Sequence, residues 1–237
     1  GGKPYANVGI REVLKAWASK LAWRDWPRIR ARSFDKKQGS GAEPITAKAL
    51  YPRWAAFLRS GDIVVAETGT ASMGLGFAPM PKGAVFHNQT LWGSIGWATP
   101  AAVGAAAAAP DRRVVLFTGE GSHQLTAQEV GLFGRMGLKP VVFVLNNGGY
   151  LIERLLCERP EITYNDLARW RYAELPHALG CDGWFTARVT TCEEFDHALD
   201  RARKAESGVY IEVVTDPYAA SPLAQKLHEN VESLYRS

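Results

Sequence analysis

The sequence predicts an α/β fold, a three-layer αβα sandwich around a mainly parallel sheet of about six strands. Short runs rich in Val, Ile and Phe alternate along the chain with helical segments. Most of these runs are apolar at every position, as expected for strands of a parallel sheet with helices on both faces. The chain has 237 residues, of which 46% are hydrophobic and 22% charged, so it can bury a sizeable core.

The strands are predicted from β-branched and aromatic runs bounded by polar or glycine-containing turns. They are expected at 63–67, 84–87, 114–119, 141–146, 184–189 and 209–214. The run at 84–87 is shorter than the others. No internal repeat is present.

Helices are expected before, between and after the strands, at 46–59, 94–109, 124–137, 151–158, 166–179, 191–206 and 221–235. Thr46 is the expected N-cap of the first, and Pro52 is an expected irregularity in it because proline lacks a backbone N–H. Thr191 is followed three residues later by Glu194, which predicts a capping box.

The basic charge of the chain is concentrated at its start. Residues 1–39 carry ten Lys or Arg against three Asp or Glu, whereas the other residues carry 18 against 21. Aromatic residues alternate with charged ones at 15–32, a pattern also found in nucleic-acid-binding segments. Within the basic first 39 residues, apolar residues recur at helical spacing. They are Ile10, Val13, Leu14, Trp17 and Leu21. An amphipathic helix therefore explains the segment better, and we expect no nucleic-acid partner.

Several other classes of protein are excluded by composition. No apolar run reaches the 18 residues of a membrane span, so no membrane partner is expected. The three cysteines show no metal-ligand spacing and no even-numbered disulfide pattern, which predicts a cytoplasmic location. The polar stretch at 34–44, which contains glycine and serine and ends in proline, is predicted to be a linker.

Two turns that follow predicted strands carry chemistry. GEGS at 119–122 offers two glycines, a hydroxyl and the carboxylate of Glu120, and NNGGY at 146–150 offers amide and backbone oxygens before a helix. Ligands of parallel sheets bind at the carboxyl ends of the strands. Carboxylate, amide and carbonyl oxygens suit Mg²⁺, and backbone N–H groups in glycine-containing turns suit phosphate. The two turns therefore predict a site for a metal-bridged diphosphate.

Four phrases of the sequence carry a specific resemblance. GEGSHQLTAQEV, GLKPVVFVLNNGGYLIE, VVAETGTASMG and LWGSIG resemble the C-terminal, diphosphate-binding domain of pyruvate and indolepyruvate decarboxylases. The resemblance runs from about Pro44 to Asp216 and implies the thiamine-diphosphate-binding fold. It implies that 44–237 is the C-terminal domain and that 1–43 is a remnant of a preceding middle domain with its linker.

The resemblance also implies a cofactor, thiamine diphosphate with Mg²⁺, and the residues that hold it. The implied metal ligands are Glu120, Asn147 and Gly149. The implied cofactor contacts are Thr68, Thr70, Gly93, Ser94, Ile95, Gly121, Ser122, Asn147, Gly149, Leu151 and Ile152. Ile95 falls at the position of the wedge that bends the cofactor, and Glu153 at that of the carboxylate that assists decarboxylation and proton transfer.

The function that the resemblance implies is that of a non-oxidative decarboxylase, which converts a 2-keto acid to an aldehyde and carbon dioxide. Such enzymes are homodimers or homotetramers in which the N-terminal domain of a neighbouring subunit activates the pyrimidine. This chain alone is therefore expected to be inactive. A carboligase or lyase of the acetolactate synthase type and a non-catalytic binding module are the alternatives.

Two residues depart from the family's usual pattern. Glu120 stands in place of an aspartate, and its carboxylate reaches one methylene further, whereas Mg²⁺ tolerates little deviation from octahedral geometry. Leu151 stands in place of a hydroxyl that often touches the diphosphate, so one contact is expected to be lost. His87 and His123 flank the expected site and are predicted to be structural or pocket-lining.

Overall fold

The computed structural model describes residues 7–21, 34 and 36–230. The chain divides into two compact units, 1–30 and 31–237. The first contains helix α1, Ile10–Lys20, as predicted, and the Gly9 N–H donates to Glu12 Oε2 before its first turn. The basic aromatic stretch after it, at 22–33, lies outside the described residues. That residues 1–43 derive from a preceding domain stays a prediction.

The second unit is built on a sheet of six parallel strands, which confirms the predicted fold class. The strands are β1 Ile63–Ala66, β2 Val85–His87, β3 Val114–Gly119, β4 Val141–Asn146, β5 Phe185–Val189 and β6 Val209–Val214. Their spatial order is β2-β1-β3-β4-β6-β5, with every neighbouring pair parallel. The order changes direction between β1 and β3, and such a switch point opens a crevice at the carboxyl ends of the strands.

Helices cover both faces of this sheet. In the described part of the second unit they are α2 Ala47–Phe57, α3 Thr70–Leu75, α4 Ala98–Ala108, α5 Glu120–Gln124, α6 Val130–Arg135, α7 Leu151–Leu156, α8 Leu175–Ala178, α9 Cys192–Lys204 and α10 Pro222–Glu229. Helices α2, α3 and α9 share one apolar core with the sheet, and α4, α6 and α8 share another on the opposite face. Three layers result. No helix of the described residues is long and apolar enough to cross a membrane.

The predicted caps are confirmed. Thr46 accepts the Ala49 N–H at the start of α2, and Thr191 and Glu194 form the expected capping box at the start of α9. Pro52 lies inside α2, in its second turn.

Three predicted helices are wrong in part, because tertiary contacts interrupt them. The helix predicted over 94–109 begins only at Ala98, since Gly93 and Gly96 adopt left-handed backbone conformations with φ of 62° and 83°. The helix predicted over 124–137 is broken at residues 125–126, where the Thr126 hydroxyl donates to the Gly96 carbonyl at 2.8 Å.

The third of these helices, predicted over 166–179, is helical only from Tyr172 onward. The Gln124 side chain donates to the Ala168 carbonyl at 2.7 Å and lies 2.7 Å from the Tyr172 hydroxyl, so long-range contacts set the path of 166–171. Helix α3 lies where no helix was predicted.

The predicted linker is irregular and is anchored to the second unit by one buried arginine. The guanidinium of Arg53 in α2 donates to both carboxylate oxygens of Asp196, at 2.9 and 3.0 Å. Its other N–H groups donate to the carbonyls of Gln38, Gly39 and Ala49 at 2.7 to 3.0 Å. The side chain is 1% exposed, so the Gln38 and Gly39 carbonyls would lose these donors without it, whereas Asp196 would keep its ion pair with Lys37.

We expect Arg53→Met to lower the free energy of unfolding by about 3 kcal/mol, because it removes the donor of the Gln38 and Gly39 carbonyls and the two hydrogen bonds to Asp196. Urea unfolding followed by circular dichroism measures this. Arg171→Met is the matched control, since the Arg171 side chain is 83% exposed. Equal midpoints for the two variants would contradict the anchoring role.

Candidate functional site

A cavity of about 460 Å³ opens at the carboxyl ends of β1, β3 and β4. Its lining is formed by Thr68, Gly69, Thr70, Met73, Gly93, Ile95, Gly119, Glu120, Gly121, Ser122, Leu145, Asn147, Gly149, Tyr150, Leu151, Ile152, Glu153 and Tyr164. The set includes every predicted site residue except Ser94, which faces Gln89 at the rim. The structure therefore brings together residues that are more than 80 positions apart.

The turn after β1 forms one wall of the cavity. Gly69 precedes α3 with φ of 115° and ψ of −154°, a conformation open only to glycine. The Thr70 hydroxyl does not face the cavity alone, because it lies 2.7 Å from the Tyr51 hydroxyl and accepts the Ser221 N–H at 3.3 Å. These partners fix the orientation of Thr70 from the side away from the cavity.

The turn that carries Gly93 and Ile95 is held by a buried carboxylate that the sequence reasoning missed. Glu67 is fully buried at the end of β1, and it accepts the N–H groups of Thr68 at 3.0 Å and of Ala98 at 3.1 Å. Burial raises the pKa of this carboxyl. The bond from Ala98 connects the end of β1 to the start of α4, and so to the turn that places Ile95 in the cavity wall.

The turn after β3 places Glu120 at the bottom of the cavity. Glu120 is 3% exposed, and its Oε1 accepts the N–H of Asn147 at 3.1 Å and the N–H of Gly149 at 2.9 Å. Burial raises the pKa of Glu120 to about 7, although these hydrogen bonds act in the opposite direction. A Cβ on Gly121 would overlap the ring of Tyr150, so a larger residue there would force the Tyr150 side chain to move.

Asn147 connects the two turns. The end of its side-chain amide lies 3.3 Å from Glu120 Oε1 and 2.7 Å from the Gly149 carbonyl oxygen, and it donates to both when its nitrogen is turned toward them. A carboxylate, an amide and a carbonyl therefore converge within hydrogen-bond distance of one another. No group of three or more His, Cys, Asp or Glu side chains that could hold a metal occurs in the part of the chain that the structure describes.

Glu153 lies at the mouth of the cavity, on the first turn of α7, and is exposed in this chain. The hydroxyl of Tyr164, a residue that the sequence reasoning missed, donates to Glu153 Oε2 at 3.4 Å. The neighbouring Leu151 is buried in a small apolar cluster with Ala220 and Ala224 from the chain around α10. Leu151 thus packs as an apolar residue against the chain around α10, and the loss of a hydroxyl contact there stays a prediction.

His123 is structural, one of the two roles expected for it. It lies under the turn after β3, is fully buried, and both ring nitrogens are engaged, Nδ1 with the Thr99 hydroxyl at 3.0 Å and Nε2 with the Tyr210 hydroxyl at 2.8 Å. Burial lowers its pKa from 6.5 to about 4. The imidazole is therefore neutral in the folded protein at neutral pH.

We expect His123 to destabilise the fold as the pH falls from about 6.5 to about 4. The unfolded chain binds a proton on this residue below 6.5, whereas the folded chain binds it only below about 4, which costs roughly 3 kcal/mol in total. The contribution of His123 is the difference between the unfolding free energies of the wild type and His123→Gln across this pH range. The other titrating groups are common to both proteins and cancel. His177→Gln, at an exposed ion pair, is expected to keep the wild-type slope; a flat difference between wild type and His123→Gln would refute the assignment.

Comparisons with known proteins show the family of the chain. A family model described as "Thiamine pyrophosphate enzyme, C-terminal TPP binding domain" matches residues 67–213. A protein of Mycobacterium avium (strain 104) named alpha-keto-acid decarboxylase is 44% identical over 218 residues, which is 90% of this chain and 38% of that protein. One of the same name from Mycobacterium ulcerans (strain Agy99) is 41% identical over 78% of this chain and 33% of its own length.

Solved structures share the fold. A thiamine diphosphate-dependent 4-hydroxybenzoylformate decarboxylase of Rhodococcus jostii RHA1 matches 86% of this chain and 38% of its own, with a TM-score of 0.67 and 24% identity. A benzoylformate decarboxylase from Polynucleobacter necessarius matches 71% of this chain and 33% of its own, with a TM-score of 0.62 and 21% identity. The chain thus spans less than half the length of the proteins it matches. It belongs to the thiamine pyrophosphate enzymes, of which it contains the C-terminal, cofactor-binding domain.

Proposed function

We propose that this chain is the cofactor-binding part of a non-oxidative 2-keto acid decarboxylase and holds thiamine diphosphate through Mg²⁺. The observation that carries the proposal is the convergence of Glu120, Asn147 and Gly149 at the carboxyl ends of β3 and β4. The reaction is proposed from the relatives named alpha-keto-acid decarboxylase, because the chain covers only part of their length.

The chemistry of the donor set fits Mg²⁺. This ion prefers oxygen ligands, takes one or two carboxylates from protein, and completes its octahedron with phosphate oxygens and water. The carboxylate of Glu120, the side-chain oxygen of Asn147 and the carbonyl of Gly149 would supply the protein ligands. The end of the Asn147 amide that faces Glu120 and Gly149 would present its oxygen to a bound metal and its nitrogen to these two acceptors when no metal is bound.

Other predicted site residues line the cavity around the proposed metal ligands. Thr70, Gly121, Ser122 and Ile152 line it close to the metal ligands and are the proposed diphosphate contacts. Ile95, which is 39% exposed, is the proposed wedge.

Two features of the chain would support the reaction itself. When bound, thiamine diphosphate supplies the nucleophilic carbon and the electron sink. Met73 and Leu145 contribute apolar lining to the cavity, and we propose that Glu153 at its mouth holds or transfers a proton on its carboxylate. The exposure of Glu153 favours a site that another domain covers. We propose that this is the N-terminal domain of a neighbouring subunit in a homodimer or homotetramer.

We also propose a cytoplasmic location and a 2-keto acid substrate. Cys157, Cys181 and Cys192 are all free thiols, as expected for a cytoplasmic protein. Indolepyruvate is one of the candidate keto acids that the sequence resemblance suggests.

The proposal is tested by assaying the full-length protein for aldehyde release over a panel of keto acids that includes pyruvate, phenylpyruvate, indolepyruvate and branched-chain keto acids. Aldehyde and carbon dioxide in equal amounts are expected. Acetolactate or acyloin as the main product would favour a carboligase instead. In parallel, calorimetry should detect Mg²⁺-dependent binding of thiamine diphosphate; absence of binding by the full-length protein would favour a non-catalytic module.

A further inference from the structure

Arg154 contacts the backbone of the loop that carries two of the proposed metal ligands, Asn147 and Gly149. It lies on α7 directly after Glu153, and its side chain is only 9% exposed. Nη2 donates to the Gly148 carbonyl at 2.8 Å, and Nη1 lies 3.4 Å from the Asn147 carbonyl. The same guanidinium pairs with the exposed Asp166 at 3.3 Å.

The opposite side of the same loop is held by Glu120. Its carboxylate accepts the N–H groups of Asn147 and Gly149, whereas Arg154 donates to the carbonyls of Asn147 and Gly148. The peptide groups of the loop therefore lie between two charged side chains. The Glu120 carboxylate accepts from their N–H groups and the Arg154 guanidinium donates to their carbonyls, an arrangement termed the Glu120–Arg154 bracket. Hydrogen bonds to charged groups are stronger than those between neutral groups, and the two bonds to Glu120 are buried, whereas the bond from Arg154 to the Gly148 carbonyl is at the surface.

The packing behind the loop is close. A Cβ on Gly149 would overlap Arg154 Nη2 and the Asn165 carbonyl, so the guanidinium lies directly against the Gly149 backbone. The Tyr150 N–H donates to the same Asn165 carbonyl at 2.9 Å, and Gly149 pairs with Asp166 in a β-bridge. The loop is thus fixed on three sides by protein groups alone.

We propose that the Glu120–Arg154 bracket orders the 147–149 loop before any metal binds, and that Arg154 is a positioning residue for the proposed metal site. This rests on the proposed function only for the identity of the ligand. Arg154 donates to the carbonyls of the loop. It acts on the metal site by orienting the peptide group between Gly148 and Gly149, whose N–H donates to Glu120. Glu120 keeps its second carboxylate oxygen for the metal, because the N–H groups of the loop bind Oε1.

The first test is amide hydrogen exchange of the metal-free, cofactor-free 237-residue chain, followed by NMR. We expect the Asn147 and Gly149 amides to be protected at least tenfold over the unstructured rate. In Arg154→Met this protection is expected to fall by tenfold or more, whereas the β4 amides of Val142 and Val144 stay protected. Arg154→Lys, which retains one charged donor, is expected to be intermediate. Unprotected loop amides in the wild type, or unchanged protection in Arg154→Met, would overturn the proposal.

The second test separates metal positioning from a general effect on stability. The Mg²⁺ concentration that gives half-maximal thiamine diphosphate binding is measured by calorimetry on the full-length protein. We expect it to rise about tenfold or more in Arg154→Met, as is typical when a residue that supports metal ligands is removed. The control, Arg171→Met, should match the wild type.

The two tests also distinguish this inference from the function on which it rests. If the wild type binds no cofactor at any Mg²⁺ concentration, the proposed function fails, and hydrogen exchange still decides whether the loop is preordered. If the wild type binds and Arg154→Met has the same Mg²⁺ requirement, the positioning role of Arg154 is wrong and the proposed function stands.

Discussion

Glu153→Gln in the full-length protein is expected to lower kcat for decarboxylation by about 10²- to 10³-fold, the usual contribution of a general acid or base. The amide keeps the shape of the side chain at the cavity mouth but can neither hold nor deliver a proton. The residue is exposed and contacts the Tyr164 hydroxyl only at 3.4 Å, so the substitution leaves the fold unchanged. Thiamine diphosphate affinity should stay within about threefold of the wild type, since the metal ligands lie deeper in the cavity.

Steady-state kinetics and calorimetry on the same preparation test this combination. Glu158→Gln is the matched control, because Glu158 follows the same helix and is exposed without lining the cavity. A variant that loses cofactor binding in parallel with kcat would show that Glu153 acts in loading and not in proton transfer. Full activity in Glu153→Gln would remove it from the reaction altogether.

The second large effect is expected at Glu120. Glu120→Gln should raise the dissociation constant of thiamine diphosphate in the presence of Mg²⁺ by 100-fold or more. A neutral amide lacks the charge that a hard divalent ion needs. Its one oxygen cannot serve both the two loop N–H groups and a metal.

Calorimetric titration of cofactor into protein with a fixed excess of Mg²⁺ measures this change. Glu174→Gln is the control, because its side chain is 66% exposed and pairs with Arg171 far from the cavity lining. Glu120→Asp, which carries the family's usual residue, should retain Mg²⁺-dependent binding while losing loop protection in the metal-free state. Wild-type affinity in Glu120→Gln would rule out this residue as a metal ligand.

The strands and the position of the site could be predicted because they depend on local sequence. The run at 209–214 is apolar on both faces apart from Glu212, so burial in a parallel sheet was the only arrangement that satisfied it. The turns after β3 and β4 follow neighbouring strands, so their side chains had to meet at one end of the sheet. The family to which the chain belongs was equally evident from four short phrases.

The parts that could not be predicted depend on partners distant in sequence. Glu67 was passed over as the end of a strand, yet its carboxylate fixes the N–H of Ala98, 31 residues later. The Gln124 side chain donates to the Ala168 carbonyl and so holds residues 166–171 out of the helix that local spacing favours. Capping and periodicity rules consider only residues close in sequence. These hydrogen bonds join residues 31 and 44 positions apart, which become neighbours only when the helices pack on the sheet.

By itself, the sequence determined that the chain is a parallel α/β domain, and it predicted a ligand site at the turns after β3 and β4. Those features follow from side-chain hydrophobicity and from the residues that a tight turn permits, which are properties of short segments. Only the tertiary structure decided how the loop at 147–149 is held. The carboxylate of Glu120 and the guanidinium of Arg154 act on the same peptide units from opposite sides. That arrangement exists only once two separate strand–helix units are packed against each other.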